Sequence, residues 1–235
     1  MIPEKVFYVH PDYVRSESFV LDKIESNHVS NVFRLIPGDS ILLINGLGIG
    51  YIGKIKVIKE GIVSGTIKKK IEGLGESSHR INIVPAIIKR DNFENLLQKV
   101  TELGVRNIYP IVTDRCIKRT INKKRCEKII ISAAKQCQRS LFPAIHKPID
   151  IESWLVKSKD QVYTGKRTAI SKLSNLNIKK DKSISIIIGP EGDFNQKEMK
   201  NMEKFGVQFF NLGDRRLRSD TAAYTSLSIL NELFS

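Results

Sequence analysis

Two short stretches near the C-terminal end of the sequence combine glycine, charge and hydroxyl groups in a way that could do chemistry. They are Gly189-Pro-Glu-Gly-Asp-Phe194 and Leu212-Gly-Asp-Arg-Arg-Leu-Arg-Ser-Asp-Thr-Ala222. Glycines let a ligand approach main-chain N–H and C=O groups closely. The arginines of the second stretch could clamp an RNA phosphate or stabilise a developing oxyanion. They could equally pair with the neighbouring carboxylates in a structural network.

Each stretch follows a run that predicts a buried strand, at residues 184–188 and 207–210, and each leads into a predicted helix. In an open α/β sheet, ligands bind at the loops that leave the carboxyl ends of the strands. We therefore expect a ligand site here, although the spacing of the first loop also fits an ordinary tight turn. Gly165-Lys166 lacks the upstream glycine of a phosphate-binding loop, so recognition through a triphosphate is not expected.

The elements around these loops alternate between strand and helix from residue 81 onward, which predicts a mainly parallel sheet covered on both faces. Asp91 with Glu94, and Asn195 with Glu198, have the spacing of capping boxes that begin helices. The predicted strands are 81–88, 107–112, 161–164 and 184–188, and the predicted helices include 122–139, 150–157 and 219–234.

The N-terminal part has a different pattern of secondary structure. Short strand patterns at 40–44, 50–58 and 61–67 predict a small barrel or sandwich. Asn45-Gly46 is typical of a hairpin with a type I′ turn. The glycines from Gly46 to Gly50 have the wrong spacing for a dinucleotide loop. With a linker at 73–79, the predicted domains are 1–72 and 73–235.

The formal net charge of +14 over 235 residues favours a polyanionic partner, nucleic acid above all, although a lysine-rich composition could also produce it. No run of about 18 apolar residues is present, so we expect a soluble cytoplasmic protein that does not enter a membrane. The three cysteines and four histidines have no metal-ligand spacing, so no metal is expected.

The two loops resemble the cofactor-binding signature of the SPOUT superfamily of S-adenosylmethionine-dependent RNA methyltransferases. The resemblance is strongest to the family that methylates N3 of a uridine in 16S ribosomal RNA. Further similarities span nearly the whole chain: Phe33-Arg-Leu-Ile-Pro-Gly-Asp39, Lys89-Arg-Asp-Asn-Phe, Gln98-Lys-Val-Thr-Glu-Leu-Gly-Val105, Tyr109-Pro-Ile-Val-Thr113, and Ala133-Ala-Lys-Gln-Cys-Gln-Arg139 followed by Pro143. The sequence departs from the family pattern at Asp193, Arg216 and Asp220, where glycine, an aliphatic residue and glutamate are usual.

This resemblance implies an α/β protein with a small N-terminal PUA-like β-barrel, followed by a SPOUT domain with a deep trefoil knot. It implies S-adenosylmethionine as cofactor, 16S rRNA in the small ribosomal subunit as partner, and a homodimer with active sites at the subunit interface. Together with the glycine placement, it assigns these residues to the cofactor: Thr164, Ile188, Gly189, Pro190, Glu191, Gly192, Leu212, Gly213, Leu217, Ser219, Thr221 and Ala222.

Methylation at N3 requires a base for the N3 proton and positive charge beside the uracil oxygens. We assign the charge to Arg218 and the base to Asp220 or Glu191, with solvent hydroxide as an alternative route. The predicted RNA contacts are Arg15, Lys23, Arg34, Lys89, Arg90, Arg139, Arg215 and Arg216. Two other functions remain open: a SPOUT ribose 2′-O-methyltransferase, and a non-catalytic RNA-binding factor in ribosome assembly.

Overall fold

The computed structural model describes residues 2–234 as two compact units. The first comprises the chain up to Ser77 together with Ile131–Phe142, and the second comprises Ser78–Ile130 together with the chain from Pro143 onward. The boundary predicted after residue 72 lies close to the first of these divisions. The return of residues 131–142 to the first unit has no counterpart in the prediction.

The first unit is built on a six-stranded sheet with the order β1-β4-β5-β6-β3-β2. Strands β1 and β4 are parallel, and the other pairings are antiparallel. A cluster of buried apolar side chains, with Phe7, Phe19 and Leu43 among them, forms its core. The strands are β1 (Val6–Tyr8), β2 (Val14–Arg15), β3 (Ser18–Val20), β4 (Ser40–Ile44), β5 (Ile49–Lys59) and β6 (Ile62–Glu72), and a short helix α1 (Lys23–Asn27) follows β3.

The hairpin predicted at Asn45-Gly46 joins β4 to β5, but its turn is not the expected type I′ turn. Such a turn needs a positive φ at both central residues, and Asn45 is not in that conformation, whereas Gly46 has a φ of 76°. The side chain of Asn45 closes the loop instead, because its Oδ1 accepts hydrogen bonds from the N–H groups of Leu47 (2.8 Å) and Ile49 (3.1 Å).

The second unit contains a six-stranded sheet with the order β10-β8-β7-β13-β12-β14, and every pairing in it is parallel. This confirms the expected parallel sheet and the α/β class. The strands are β7 (Ile81–Pro85), β8 (Asn107–Ile108), β10 (Ala144–Ile145), β12 (Gln161–Gly165), β13 (Ile184–Ile188) and β14 (Gln208–Phe210). Two short strands, β9 (Ile111–Val112) and β11 (Ile149–Asp150), pair separately, so the single strand predicted at 107–112 is divided in two.

The remaining helices are α2 (Arg90–Glu102), α3 (Lys123–Gln136), α4 (Ile151–Lys157), α5 (Gln196–Lys204) and α6 (Ser219–Phe234). The capping box of Asn195 and Glu198 is present at the start of α5. The one predicted at Asp91 is wrong, because α2 begins at Arg90 and its N-cap is Lys89, which makes no side-chain capping bond. No helix within residues 2–234 is long and apolar enough to cross a membrane.

The strand order decides where the ligand site can form. Strands β13, β12 and β14 are consecutive neighbours and run in the same direction, so the loops that follow them leave from one edge of the sheet. These loops are 166–172 after β12, 189–195 after β13 and 211–218 after β14. Both stretches singled out in the sequence therefore meet at this edge, together with a third.

Candidate functional site

A cavity of about 600 Å³ lies at the carboxyl ends of β12, β13 and β14 and at the start of α6. Its wall combines apolar side chains such as Ile188, Leu212 and Leu217 with the glycine-rich main chain of the loops. Its volume lies within the range of about 300–1,000 Å³ that is typical of small-molecule and cofactor sites.

The loop after β13 is a tight turn. The N–H of Asp193 donates to the carbonyl of Pro190 across 2.9 Å, which closes the turn around Glu191 and Gly192. Asp193 itself has a φ of 63°, and its Oδ1 accepts from the N–H of Phe194 across 2.8 Å. Glycine adopts this left-handed conformation freely, and aspartate is among the few other residues that tolerate it. This conformation suits the glycine that the family resemblance implies here, and Asp193 adopts it as well.

Hydrogen bonds tie the two glycine-containing loops into one structure. Ser219, the first residue of α6, donates its Oγ–H to the carbonyl of Gly189 across 2.7 Å. Arg216 donates from Nη2 to the carbonyl of Glu191 across 3.3 Å. The first loop is thus held by residues of the second, and the two form a single wall of the cavity.

Arg218, Glu191 and Asp220 all line this cavity. Arg218 is exposed and makes no ion pair with either carboxylate, or with any other carboxylate in residues 2–234, so the pairing considered from the sequence is not present. Asp220 is half-buried, and its Oδ1 accepts from the N–H of Thr221 across 2.8 Å. The Glu191 side chain is exposed. The site therefore presents a guanidinium and two carboxylates that do not neutralise one another through contact.

The two glycines of the first loop have different neighbours. A Cβ on Gly189, which lines the cavity, would lie 3.0 Å from the ring of Phe194. A Cβ on Gly192 would lie 3.2 Å from Cδ of Arg115, and Gly192 is not part of the cavity wall. A side chain at either position would therefore make a tight contact, with the Phe194 ring at Gly189 and with the Arg115 stem at Gly192.

The charge at the cavity is positive. Six basic residues and three acidic ones line it: Lys89, Lys166, Arg167, Arg215, Arg216 and Arg218, against Glu191, Asp193 and Asp220. Such an excess favours an anionic ligand or a polyanion at the rim. Within residues 2–234 no cluster of three or more histidine, cysteine, aspartate or glutamate side chains is placed to hold a metal ion.

Comparison with known proteins gives the site its context. Residues 75–231 match the family model described as an RNA methyltransferase domain. The chain is 30% identical to the ribosomal RNA small subunit methyltransferase E of Rickettsia conorii over 92% of each chain. This chain belongs to that RNA methyltransferase family.

Two solved structures extend the family relationship to the fold. One is a ribosomal RNA small subunit methyltransferase E from Neisseria gonorrhoeae bound to S-adenosyl methionine, with a TM-score of 0.90 and 26% identity over 100% of this chain and 98% of that chain. The other is a methyltransferase from Legionella pneumophila in complex with the bound cofactor SAM, with a TM-score of 0.84 and 28% identity over 98% of both chains.

The cavity collects most of the residues that the sequence assigned to a cofactor. Ten of them line it: Thr164, Ile188, Gly189, Pro190, Glu191, Leu212, Gly213, Leu217, Ser219 and Ala222. Gly192 and Thr221 lie in the same loops but outside the cavity wall. Thr164 is buried and donates its Oγ1–H to the carbonyl of Ile187 across 3.0 Å, so it joins β12 to β13 just below the loops.

Sequence reasoning missed a third part of the wall, formed by Gly165, Lys166 and Arg167 after β12 and by Asn92 and Ile117. The end of β12 and the loop after it carry the same signal as the other two loops, a glycine followed by basic residues at the end of a strand. The glycine spacing around Gly165-Lys166 excludes a phosphate-binding loop but does not exclude another role in the site. This segment reaches the site because β12 lies between β13 and β14 in the sheet.

Most of the residues predicted to bind RNA present their charges to solvent. Arg15, Lys23 and Arg34 in the first unit and Lys89, Arg90, Arg215 and Arg216 in the second are exposed. Arg139 is a correction, because it is 2% exposed and its Nη2 and Nε donate to the carboxylate of Glu76 across 2.8 and 3.0 Å. A guanidinium engaged in a buried pair is unavailable to a phosphate, so Arg139 is a structural residue.

Proposed function

We propose that this protein transfers a methyl group from S-adenosylmethionine to N3 of a uridine in 16S rRNA of the small ribosomal subunit. The observation that carries the proposal is the cavity itself, in which two hydrogen-bonded loops present the Arg218 guanidinium, which makes no ion pair within residues 2–234. Relatives named as small subunit rRNA methyltransferases, and related structures that hold S-adenosylmethionine, support it.

The residues of the cavity fit this cofactor. Its apolar parts would contact Ile188, Leu212 and Leu217, and its polar groups would meet the main chain of the loops and the hydroxyl of Ser219. The proposed cofactor contacts are those residues assigned from the sequence that line the cavity. Gly192 and Thr221, which were also assigned, act through the conformation of their loops. When bound, the cofactor supplies an electrophilic methyl group on its sulfonium.

Arg218 is proposed to stabilise the negative charge that develops on the uracil oxygens as the N3 proton leaves. It is free to do so because its guanidinium carries no ion pair within residues 2–234. A preorganised cation placed where charge develops lowers the barrier without reorganisation at the moment of reaction.

The N3 proton passes to Glu191 or Asp220, and the two carboxylates differ in their hydrogen bonds. The Oδ1 of Asp220 is engaged by the N–H of Thr221, whereas the Glu191 carboxylate accepts no hydrogen bond from residues 2–234. An unengaged carboxylate at the cavity wall retains its capacity to accept a proton from a bound base.

Around this centre we propose the assembly that the family resemblance implies. The N-terminal domain, residues 1–72, is a PUA-like barrel that binds RNA through Arg15, Lys23 and Arg34. The catalytic domain, residues 73–235, is a SPOUT domain with a cofactor-binding knot, and it binds RNA through Lys89, Arg90, Arg215 and Arg216. The active protein is a cytoplasmic homodimer with its active sites at the subunit interface.

The decisive experiment methylates 30S particles and free rRNA from a strain that lacks the gene, followed by mass spectrometry of the nucleosides. We expect 3-methyluridine in 16S rRNA. A ribose-methylated nucleoside would assign the protein to the 2′-O-methyltransferases. Absence of binding heat with S-adenosylmethionine in calorimetry would indicate a non-catalytic assembly factor.

A further inference from the structure

In the turn between Pro190 and Asp193, the carbonyls of Glu191 and Gly192 each accept a hydrogen bond from an arginine. Arg216 binds the carbonyl of Glu191, as described above. Arg115 donates from Nη1 to the carbonyl of Gly192. Arg115 belongs to neither glycine-containing loop, because it follows β9 in the sequence.

Arg115 approaches the turn along its whole side chain. A Cβ on Gly192 would meet Cδ, Cβ and Cγ of Arg115 at 3.2, 3.6 and 3.9 Å. The aliphatic stem therefore covers the face of Gly192 while the guanidinium binds its carbonyl. Because Gly192 does not line the cavity, this packing gives a reason for a glycine at that position.

The segment that carries Arg115 is itself fixed to the start of α5. The N–H of Asp114 donates to Oε1 of Glu198 across 2.8 Å, and Glu198 is the buried carboxylate of the capping box. Asn195, the N-cap residue, donates from Nδ2 to Asp114 Oδ2 across 3.2 Å. The helix cap thus anchors Asp114, and the next residue holds the turn.

We infer that Arg115 is a positioning residue for the S-adenosylmethionine site, which holds the Gly189–Asp193 turn in its binding conformation through the Gly192 carbonyl. The inference rests on the proposed function, since it concerns the affinity of the same cavity. Arg115 does not line the cavity, so it acts through the turn and not by contact with the cofactor. A loop ordered in advance binds more tightly because less conformational entropy is lost on binding.

The test is calorimetric binding of S-adenosylmethionine to the wild type, Arg115→Ala, Arg115→Lys and a matched control, Arg119→Ala. Arg119 is an exposed arginine of the same segment and makes no ion pair within residues 2–234. Loss of a charge-assisted hydrogen bond predicts a Kd about tenfold higher or more for Arg115→Ala. Arg119→Ala should keep the wild-type Kd, and Arg115→Lys should recover part of the loss because an ammonium can still donate to one carbonyl.

A second variant tests whether the turn transmits the effect. Gly192→Ala should displace the Arg115 stem and raise the Kd as well, and the double variant should be no weaker than the worse single variant, because both remove one contact. Hydrogen exchange of the cofactor-free protein over residues 189–194 should be faster in Arg115→Ala than in Arg119→Ala, while the two variants have similar melting temperatures.

The outcomes separate this inference from the proposed function. A wild type that binds no S-adenosylmethionine would contradict the proposed function itself. A wild type that binds, together with an unchanged Kd or additive effects for Arg115→Ala and Gly192→Ala, would overturn the role of Arg115 and leave the function standing.

Discussion

At the scale of single residues, Arg218 differs from Arg216 in the same loop because its guanidinium has no hydrogen-bond or ion-pair partner within residues 2–234. Arg216 binds the carbonyl of Glu191, whereas the guanidinium of Arg218 makes no ion pair within residues 2–234. If it stabilises the uracil anion, Arg218→Ala should lower kcat by about a hundredfold or more, with little change in cofactor affinity. Steady-state methylation assays measure kcat, and calorimetry on the same preparation measures the cofactor affinity.

The conservative variant Arg218→Lys distinguishes charge from geometry. Lysine is a point charge and lacks the planar pair of donors, so we expect it to restore only a small part of the activity. A purely structural arginine would behave differently, because its loss should lower cofactor affinity and the melting temperature together. Normal turnover of Arg218→Ala would contradict the catalytic role.

A second prediction at this scale concerns how the cavity can be blocked without unfolding the protein. Gly189→Val places a branched side chain beside Phe194, whose ring belongs to the buried core, so it should destabilise the fold as well as the site.

Ala222→Leu separates binding from folding better, since Ala222 lines the cavity from the first turn of α6 and leucine is a good helix former. We expect it to abolish S-adenosylmethionine binding in calorimetry with a near-normal melting temperature. Wild-type affinity of this variant would show that the cofactor does not bind in this cavity.

At the scale of secondary-structure elements, Glu94 shows where local sequence patterns stop being sufficient. The spacing of Asp91 and Glu94 suggested a capping box, but the Glu94 carboxylate pairs with Arg90 one helical turn away and with Arg125, 31 residues along the chain. Local spacing identified the true box at Asn195 and Glu198, where the glutamate caps the helix and also accepts from the N–H of Asp114. A sequence shows which residues are close along the chain. Only the tertiary fold shows whether a side chain pairs with one of them or with a residue distant in sequence.

The hydrogen bonds from these two guanidinium groups to Glu94 make a testable prediction about acid stability. They lower the pKa of Glu94 from 4.5 to about 2, with Arg125 as the larger cause and Arg90 as the second. A depressed pKa stabilises the folded state above the unfolded pKa, and this contribution disappears as the pH falls from about 4.5 to about 2. The melting temperature of Glu94→Gln should therefore lie below the wild-type value at pH 6 and converge with it toward pH 2. A constant difference across that range would contradict the ion-pair origin.

The sequence predicts the position of the site better than it predicts the contacts within the site. Glycine and charge after two buried strands placed the ligand loops at one edge of a parallel sheet, and the structure confirms that edge. The contributions of Lys166 and Arg167 depend on β12 lying between β13 and β14. The contact of Arg115 with Gly192 joins residues 77 positions apart. Such long-range neighbours carry no local sequence signal.

At the scale of the whole molecule, the net charge of +14 predicts that RNA binding is strongly salt-dependent. Each phosphate contact releases counterions, so log affinity should fall by about 0.7–0.9 for every log unit of salt and for every contact. Filter-binding or anisotropy titrations of 16S rRNA fragments at several salt concentrations measure this slope. A flat titration would show that the charge is only a bias of composition.

Two arginines of the first unit make that measurement specific. Arg34 is exposed, so Arg34→Ala should weaken RNA binding and reduce the salt slope by about one contact while leaving stability unchanged. Arg139 is buried against Glu76, so Arg139→Ala should leave the salt slope unchanged. Its effect should instead appear as about 3 kcal/mol or more of lost stability in urea denaturation, because the variant leaves the Glu76 carboxylate without its partner. If Arg139→Ala lowered the salt slope and preserved stability, the role of Arg139 could not be to pair with Glu76. Arg139 would then be assigned to RNA binding, as the sequence predicted.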